Sequence, residues 1–181
     1  MDLKEPRALT GRFALICGTI VLVAGIALYF GSRQNSLDDL RIMAERNNVA
    51  LTQAFSNAIW PKYADFIKSA RTLDTHTLRN HPITARLRED TVHQMRGLAV
   101  LKVKIYDLAG LTAFSTQASQ IGDDKSANAG FLAARQGHVV SELSHRDTFS
   151  AFEQEISHRD VLSSYIPIVT VPGQSAQVEG V

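Results

Sequence analysis

The sequence predicts an α+β domain behind one N-terminal transmembrane helix, and three observations predict it. Residues 13–30 form an uncharged apolar run, residues 36–98 show helical apolar spacing, and from residue 101 onward apolar and polar residues alternate. With 181 residues, 20% charged and 45% hydrophobic, the chain has the material for one anchored globular core.

The run FALICGTIVLVAGIALYF covers residues 13–30. As a helix it would rise roughly 27 Å at 1.5 Å per residue, close to the thickness of a bilayer's hydrocarbon core. A stretch apolar on every side suits lipid better than a surface helix, which is apolar along one stripe. A cleaved signal peptide is the rival reading, but Leu28, Tyr29 and Phe30 are bulky where a small-residue cleavage site would stand. Lys4, Arg7 and Arg12 precede the run against Asp2 and Glu5, so residues 1–12 are expected in the cytoplasm. The bulk is then expected to be extracytoplasmic, on a cytoplasmic membrane crossed once.

Residues 31–181 balance 16 basic against 16 acidic side chains, which implies no nucleic-acid surface. The single cysteine, Cys17, falls in the apolar run, so the remainder can form no internal disulfide.

Residues 31–99 read as a helical stalk and the domain's helices, residues 100–181 as its sheet. Leu37, Leu40, Ala44, Asn47, Leu51, Ala54 and Ala58 repeat at three and four until Trp60 and Pro61 interrupt them. That seam is either a homodimer contact or the face packed on its own domain. Pro82 opens a second helix with Ile83, Leu87, Thr91, Met95 and Leu98 on one side, stopped near Gly97. Leu101, Val103 and Ile105 then alternate with Lys102, Lys104 and Tyr106, and residues 107–110 turn the chain into a second strand. This hairpin is expected to have one wet face. Ser126 or Asn128 can cap a short helix that Gly137 ends, and strands are expected over 138–143, 161–169 and 177–181. The last strand stops without a turn or polar tail, which leads us to expect a longer natural chain.

The tetrapeptide Ser-His-Arg-Asp occurs at 144–147 and again at 157–160. A protein-kinase reading fails, because the metal-binding asparagine, glycine-rich loop and Asp-Phe-Gly are all missing. Ion pairs of each Arg and Asp at the sheet rim are one account. A ligand-facing role for Arg146 and Arg159 is the other, since guanidinium suits carboxylates. Phe149, Phe152 and Tyr165 add rings to the same region, as a small-molecule pocket or as core. Histidines 76, 81, 93, 138, 145 and 158 show no ligand spacing, so no metal, cofactor or catalytic constellation is expected.

The stretches VKIYDLAGLTAFST (103–116), QIGDDKSANAGFLAARQGHVVSEL (120–143), HRDTFSAFE (145–153) and RDVLSSYIPI (159–168), with VEGV at the end, resemble the PAS-like (Cache or PDC) sensor region of bacterial transmembrane receptors. The resemblance implies long helices packed on an antiparallel PAS-like sheet. It also implies an input domain for a histidine kinase or diguanylate cyclase, a small anionic or amino-acid-like ligand, and no catalysis by this segment. A membrane-tethered protein-binding scaffold is the alternative.

Overall fold

The computed structural model describes residues 5–150, 155–170 and 177–181, with side chains left aside at 5–12, 14, 31–38, 41, 149–150, 155–156, 170 and 177. The chain divides into two compact units, residues 1–44 and residues 45–181. Helix α1 spans Glu5–Ser69. Two shorter helices follow, α2 at Thr75–Asn80 and α3 at Pro82–Met95. Strands β1 (Lys104–Tyr106) and β2 (Thr112–Ser115) precede α4 (Ala129–Arg135). The chain ends with β3 (Val140–Ser150), β4 (Glu155–Tyr165), β5 (Ile168–Thr170) and β6 (Gln177–Gly180).

In the first unit, the described side chains of the apolar run, among them Phe13, Leu15, Ile16, Leu28 and Tyr29, are exposed. Among the described residues no helix is long and apolar enough to cross a membrane. This corrects the single-pass transmembrane helix and the extracytoplasmic location drawn from it.

The second unit carries the core. Phe55, Ile59, Trp60, Tyr63, Phe66 and Ile67 of α1 pack with Leu78, Leu87, Met95, Ile105, Phe114 and Ile121. Pro61 therefore does not end the helix as expected; it sits inside α1. An interior proline costs about 3 kcal/mol, while each large apolar side chain buried beyond it contributes about 1.5–3 kcal/mol. Tyr63, Phe66 and Ile67 together outweigh the proline. The expected seam is also displaced: Leu40, Ala44, Asn47, Ala54 and Ala58 are exposed, so it is not the face packed on its own domain. Aromatic residues one step round the helix bury more area and take the core.

Asp74 caps α2 by accepting from the His76 and Thr77 amides. His81 Nδ1 accepts from the Ile83 amide at 3.2 Å to cap α3, with Pro82 at its start. Thr84, Leu87, Thr91 and Met95 form the buried side of α3, while Leu98 beyond its end is exposed.

The sheet differs most from expectation. Among the described residues there are three two-stranded antiparallel sheets, β1–β2, β3–β4 and β5–β6, and not one PAS-like sheet. Bulges after Ile105 and after Ile168 break the first and third ladders within strands of three or four residues. An extra residue bends its strand and leaves nothing straight enough to extend. Nor does β1–β2 keep a wet face, since Ile105, Tyr106 and all four residues of β2 are buried. The Asp107 carboxylate closes the turn by accepting from the Ala109 and Leu111 amides, and Arg71 holds its other oxygen at 2.9 Å.

Strands β3 and β4 are longer than expected, because each runs straight through a Ser-His-Arg-Asp tetrapeptide. Their register pairs Val140 with Tyr165, Arg146 with Arg159 and His145 with Asp160. Side chains alternate across a strand, so this ribbon has two faces. Val140, Glu142, Arg146, Arg159, Val161 and Tyr165 share one; Ser141, His145, Asp160 and Ser164 share the other. The second face touches α1 where Asn48 donates to the Ser164 hydroxyl at 3.0 Å.

Candidate functional site

The first face of the ribbon turns toward a small second core of Tyr106, Phe131, Ala134 and Val181, with Leu132 and Tyr165 packed against it. Asn128 starts α4 by accepting from the Phe131 amide at 2.9 Å, which fixes Phe131 inward. The Tyr106 and Tyr165 rings stack with centroids 6.1 Å apart, and Phe131 meets Tyr106 edge-on at 5.9 Å. Gly130 makes room for this arrangement: a Cβ there would stand 2.4 Å from the Tyr165 ring. Burial first, and neighbouring acidic or phenolic groups next, raise the pKa of both tyrosines, so their hydroxyls stay protonated.

Beside the tyrosines stands a concentration of positive charge. Lys104, two residues before Tyr106, is half-buried, and its pKa falls from 10.5 to about 8. Desolvation is the main cause; Lys102, Lys125 and Arg146 push the same way, and Asp123 opposes them. Lys102 is itself lowered by burial and by Arg146, while donating to Gln117 Oε1 at 2.6 Å. Three cations, from the approach to β1, the loop before α4 and β3, thus act on Lys104 of β1, opposed by Asp123, while Glu142 acts on Tyr165 alongside. A desolvated ammonium crowded by like charge favours a bound anion, which would restore its proton. Protonated tyrosine hydroxyls alongside can donate to the same oxygens.

Of the residues singled out in the sequence, Arg146 and Tyr165 meet here, since Arg146 acts electrostatically on Tyr165 as well as on Lys104. Arg159 lies opposite Arg146 on the same ribbon face, exposed. The Phe149 side chain and Phe152 lie outside the described residues. Sequence reasoning missed Lys102, Lys104, Lys125, Tyr106 and Asn128. Alternation had put both lysines of the strand on a solvated face, and the only available signal was two lysines in a strand that ends in a tyrosine. The rim ion pairs expected for each Arg and Asp are replaced by pairs of His and Asp, with His145 Nδ1 2.8 Å from Asp160.

No protein-family model matches the chain, and neither a curated protein nor a solved structure matches it.

Proposed function

We propose that the chain is a signal-receiving input module whose second unit binds a small anion, a carboxylate or amino acid, at the Lys104 cluster. The observation that carries this reading is Lys104 itself, half-buried among Lys102, Lys125 and Arg146 with its pKa pulled to about 8. A purely structural lysine gains nothing from that company; a ligand-binding one gains selectivity for negative charge.

The surroundings supply a route for the signal. Tyr106 exchanges backbone hydrogen bonds with Val181 at 2.7 and 3.3 Å. Two residues earlier Glu179 accepts from Trp60 Nε1 at 2.8 Å and from Lys68 at 2.9 Å, both on α1. The strand that holds the ligand cluster is therefore bonded to β6, and β6 to the long helix. Ligand occupancy alters α1 only through a difference in affinity between two of its positions. Placement ahead of a histidine kinase or diguanylate cyclase rests on the sequence resemblance alone.

The test is a thermal-shift screen of the full chain against small carboxylates and amino acids, followed by calorimetry on the hit at about pH 8.5, just above the pKa of Lys104. Binding should take up a proton, seen as a heat that varies with the buffer's ionisation enthalpy. Lys104→Met and Arg146→Ala should each weaken binding roughly ten- to hundredfold, the loss of one charge-assisted bond. A hit that both variants bind like the parent would place the ligand elsewhere. Failure of every compound would favour the protein-binding scaffold, for which the exposed Leu40, Ile42 and Met43 on α1 speak.

A further inference from the structure

The second face of the β3–β4 ribbon brings the two Ser-His-Arg-Asp copies together head to tail. Because the strands are antiparallel, His145 lies opposite Asp160, and Asp147 and His158 fall between the Arg146–Arg159 and Thr148–Ser157 pairs, two residues along. Donor atoms of His145, Asp147 and His158 all lie within 4.8 Å of one another. His145 Nε2 is 4.0 Å and His158 Nδ1 3.9 Å from the same Asp147 oxygen. We propose that these three side chains form a binding site for a divalent metal ion of borderline softness, Zn²⁺ in the first place, with Asp160 as its positioning residue.

Four observations converge on this. Two imidazoles and a carboxylate are a donor set that suits zinc, and three protein ligands leave a fourth position open to water or a further ligand. Asp160 accepts at His145 Nδ1, 2.8 Å away, which turns Nε2 toward the other donors. A carboxylate behind a ligating histidine holds the ring and tautomer in this way. Third, His158 has φ 50, a left-handed backbone and the only positive φ at a non-glycine among the described residues. Such a conformation costs on the order of 1 kcal/mol or more and clusters at functional sites; here it falls on a proposed ligand. Last, Arg146 and Arg159 belong to the opposite face, so the guanidiniums do not face the ion, while Asp147 and Asp160 supply the charge that balances it.

Donor atoms on a tetrahedral zinc at about 2.0 Å stand roughly 3.3 Å apart. The separations of 3.9 and 4.0 Å must therefore contract by little more than half an ångström, and the third pair, within 4.8 Å, by up to about 1.5 Å; all three side chains are exposed. No single stretch of sequence reveals the site, since His145 and His158 are thirteen positions apart; the register of the ribbon makes it. The inference is independent of the proposed anion site on the other face.

Equilibrium dialysis and calorimetry of the full chain with Zn²⁺ test it, with Co²⁺ as a spectroscopic substitute. One equivalent of Zn²⁺ should bind, and Co²⁺ should give the intense visible absorption of a four-coordinate site. His145→Ala and His158→Ala should each weaken Zn²⁺ binding at least tenfold and abolish that absorption. Asp160→Asn should weaken binding roughly ten- to hundredfold yet keep a four-coordinate spectrum, which a ligating role would not allow. All are surface changes, so melting without metal should match the parent's; circular dichroism confirms the fold of each. Substoichiometric binding, or a double variant His145→Ala/His158→Ala that binds like the parent, overturns the proposal and moves the metal to His76, His81, His93 or His138.

Discussion

Lys104 shows how one residue would link stability to the proposed anion binding. Its folded pKa of about 8 lies below its ordinary value of 10.5. Below about pH 8 both folded and unfolded chains hold the proton, and the penalty of a crowded, desolvated charge is fully present. Between about pH 8 and 10.5 the folded chain has released its proton while the unfolded chain keeps it, so stability rises with pH and the penalty fades. Removing the charge should remove the slope. We expect denaturant midpoints of the parent, relative to Lys104→Met, to climb between about pH 7 and 10, with the variant the more stable at the low end. Parallel curves would show that the lysine is solvated and the site is not primed for an anion.

Among the elements, the turn between β1 and β2 depends on Gly110 for two separate reasons. Its φ is +91, and a Cβ would stand 2.4 Å from the Ser126 amide nitrogen. Gly110→Val should therefore cost more than the roughly 1–3 kcal/mol of backbone strain alone, because the chain at Lys125 and Ser126 must also move. Chemical denaturation measures the first effect, and weakened anion binding through a displaced Lys125 the second. An unchanged midpoint would mean that the turn has another path. This turn was legible in the sequence because Asp-Leu-Ala-Gly between two alternating runs is local chemistry, as are the Pro82 start of α3 and the Asn128 cap of α4. What escaped was non-local. Alternation alone could not say that Lys102 and Lys104 would be desolvated, since the groups that meet them, Gln117, Lys125 and Arg146, lie further along the chain. Likewise Trp60 and Pro61 looked like a helix end because the burial of Tyr63, Phe66 and Ile67 that offsets the proline is a tertiary fact. The two tetrapeptides read as sheet rim outside the expected strands for the same reason, their polar residues being strand residues on an exposed ribbon face.

Across the second unit as a whole, the end of the chain is fastened to α1 through Glu179, with the Gly180 backbone close under the Trp60 ring, where a Cβ would stand 2.9 Å from a ring carbon. Trp60→Phe keeps an aromatic ring there and removes the bond to the carboxylate, so it should lower stability by about 1–3 kcal/mol. A far smaller loss in chemical denaturation would show that Lys68 alone suffices to hold β6, and the route from ligand to helix would lose its main joint. The ribbon gives a second lesson at this scale. Slid by one residue, β3 and β4 would place Arg146 opposite Asp160 and Asp147 opposite Arg159, two oppositely charged pairs where the actual register sets arginine against arginine. Exposed pairs of that kind are worth at most about 1 kcal/mol each. The slide would also turn one strand over, and for β4 that takes Val161 and Tyr165 out of their packing, at about 1.5–3 kcal/mol for each large apolar side chain. Local charge thus argues for one alignment and the interior imposes another, and the arginines are held in mutual repulsion as a result. Repulsion maintained by the fold would favour any anion that arrives, so the site proposed beside this ribbon would need no rearrangement of charge to receive one.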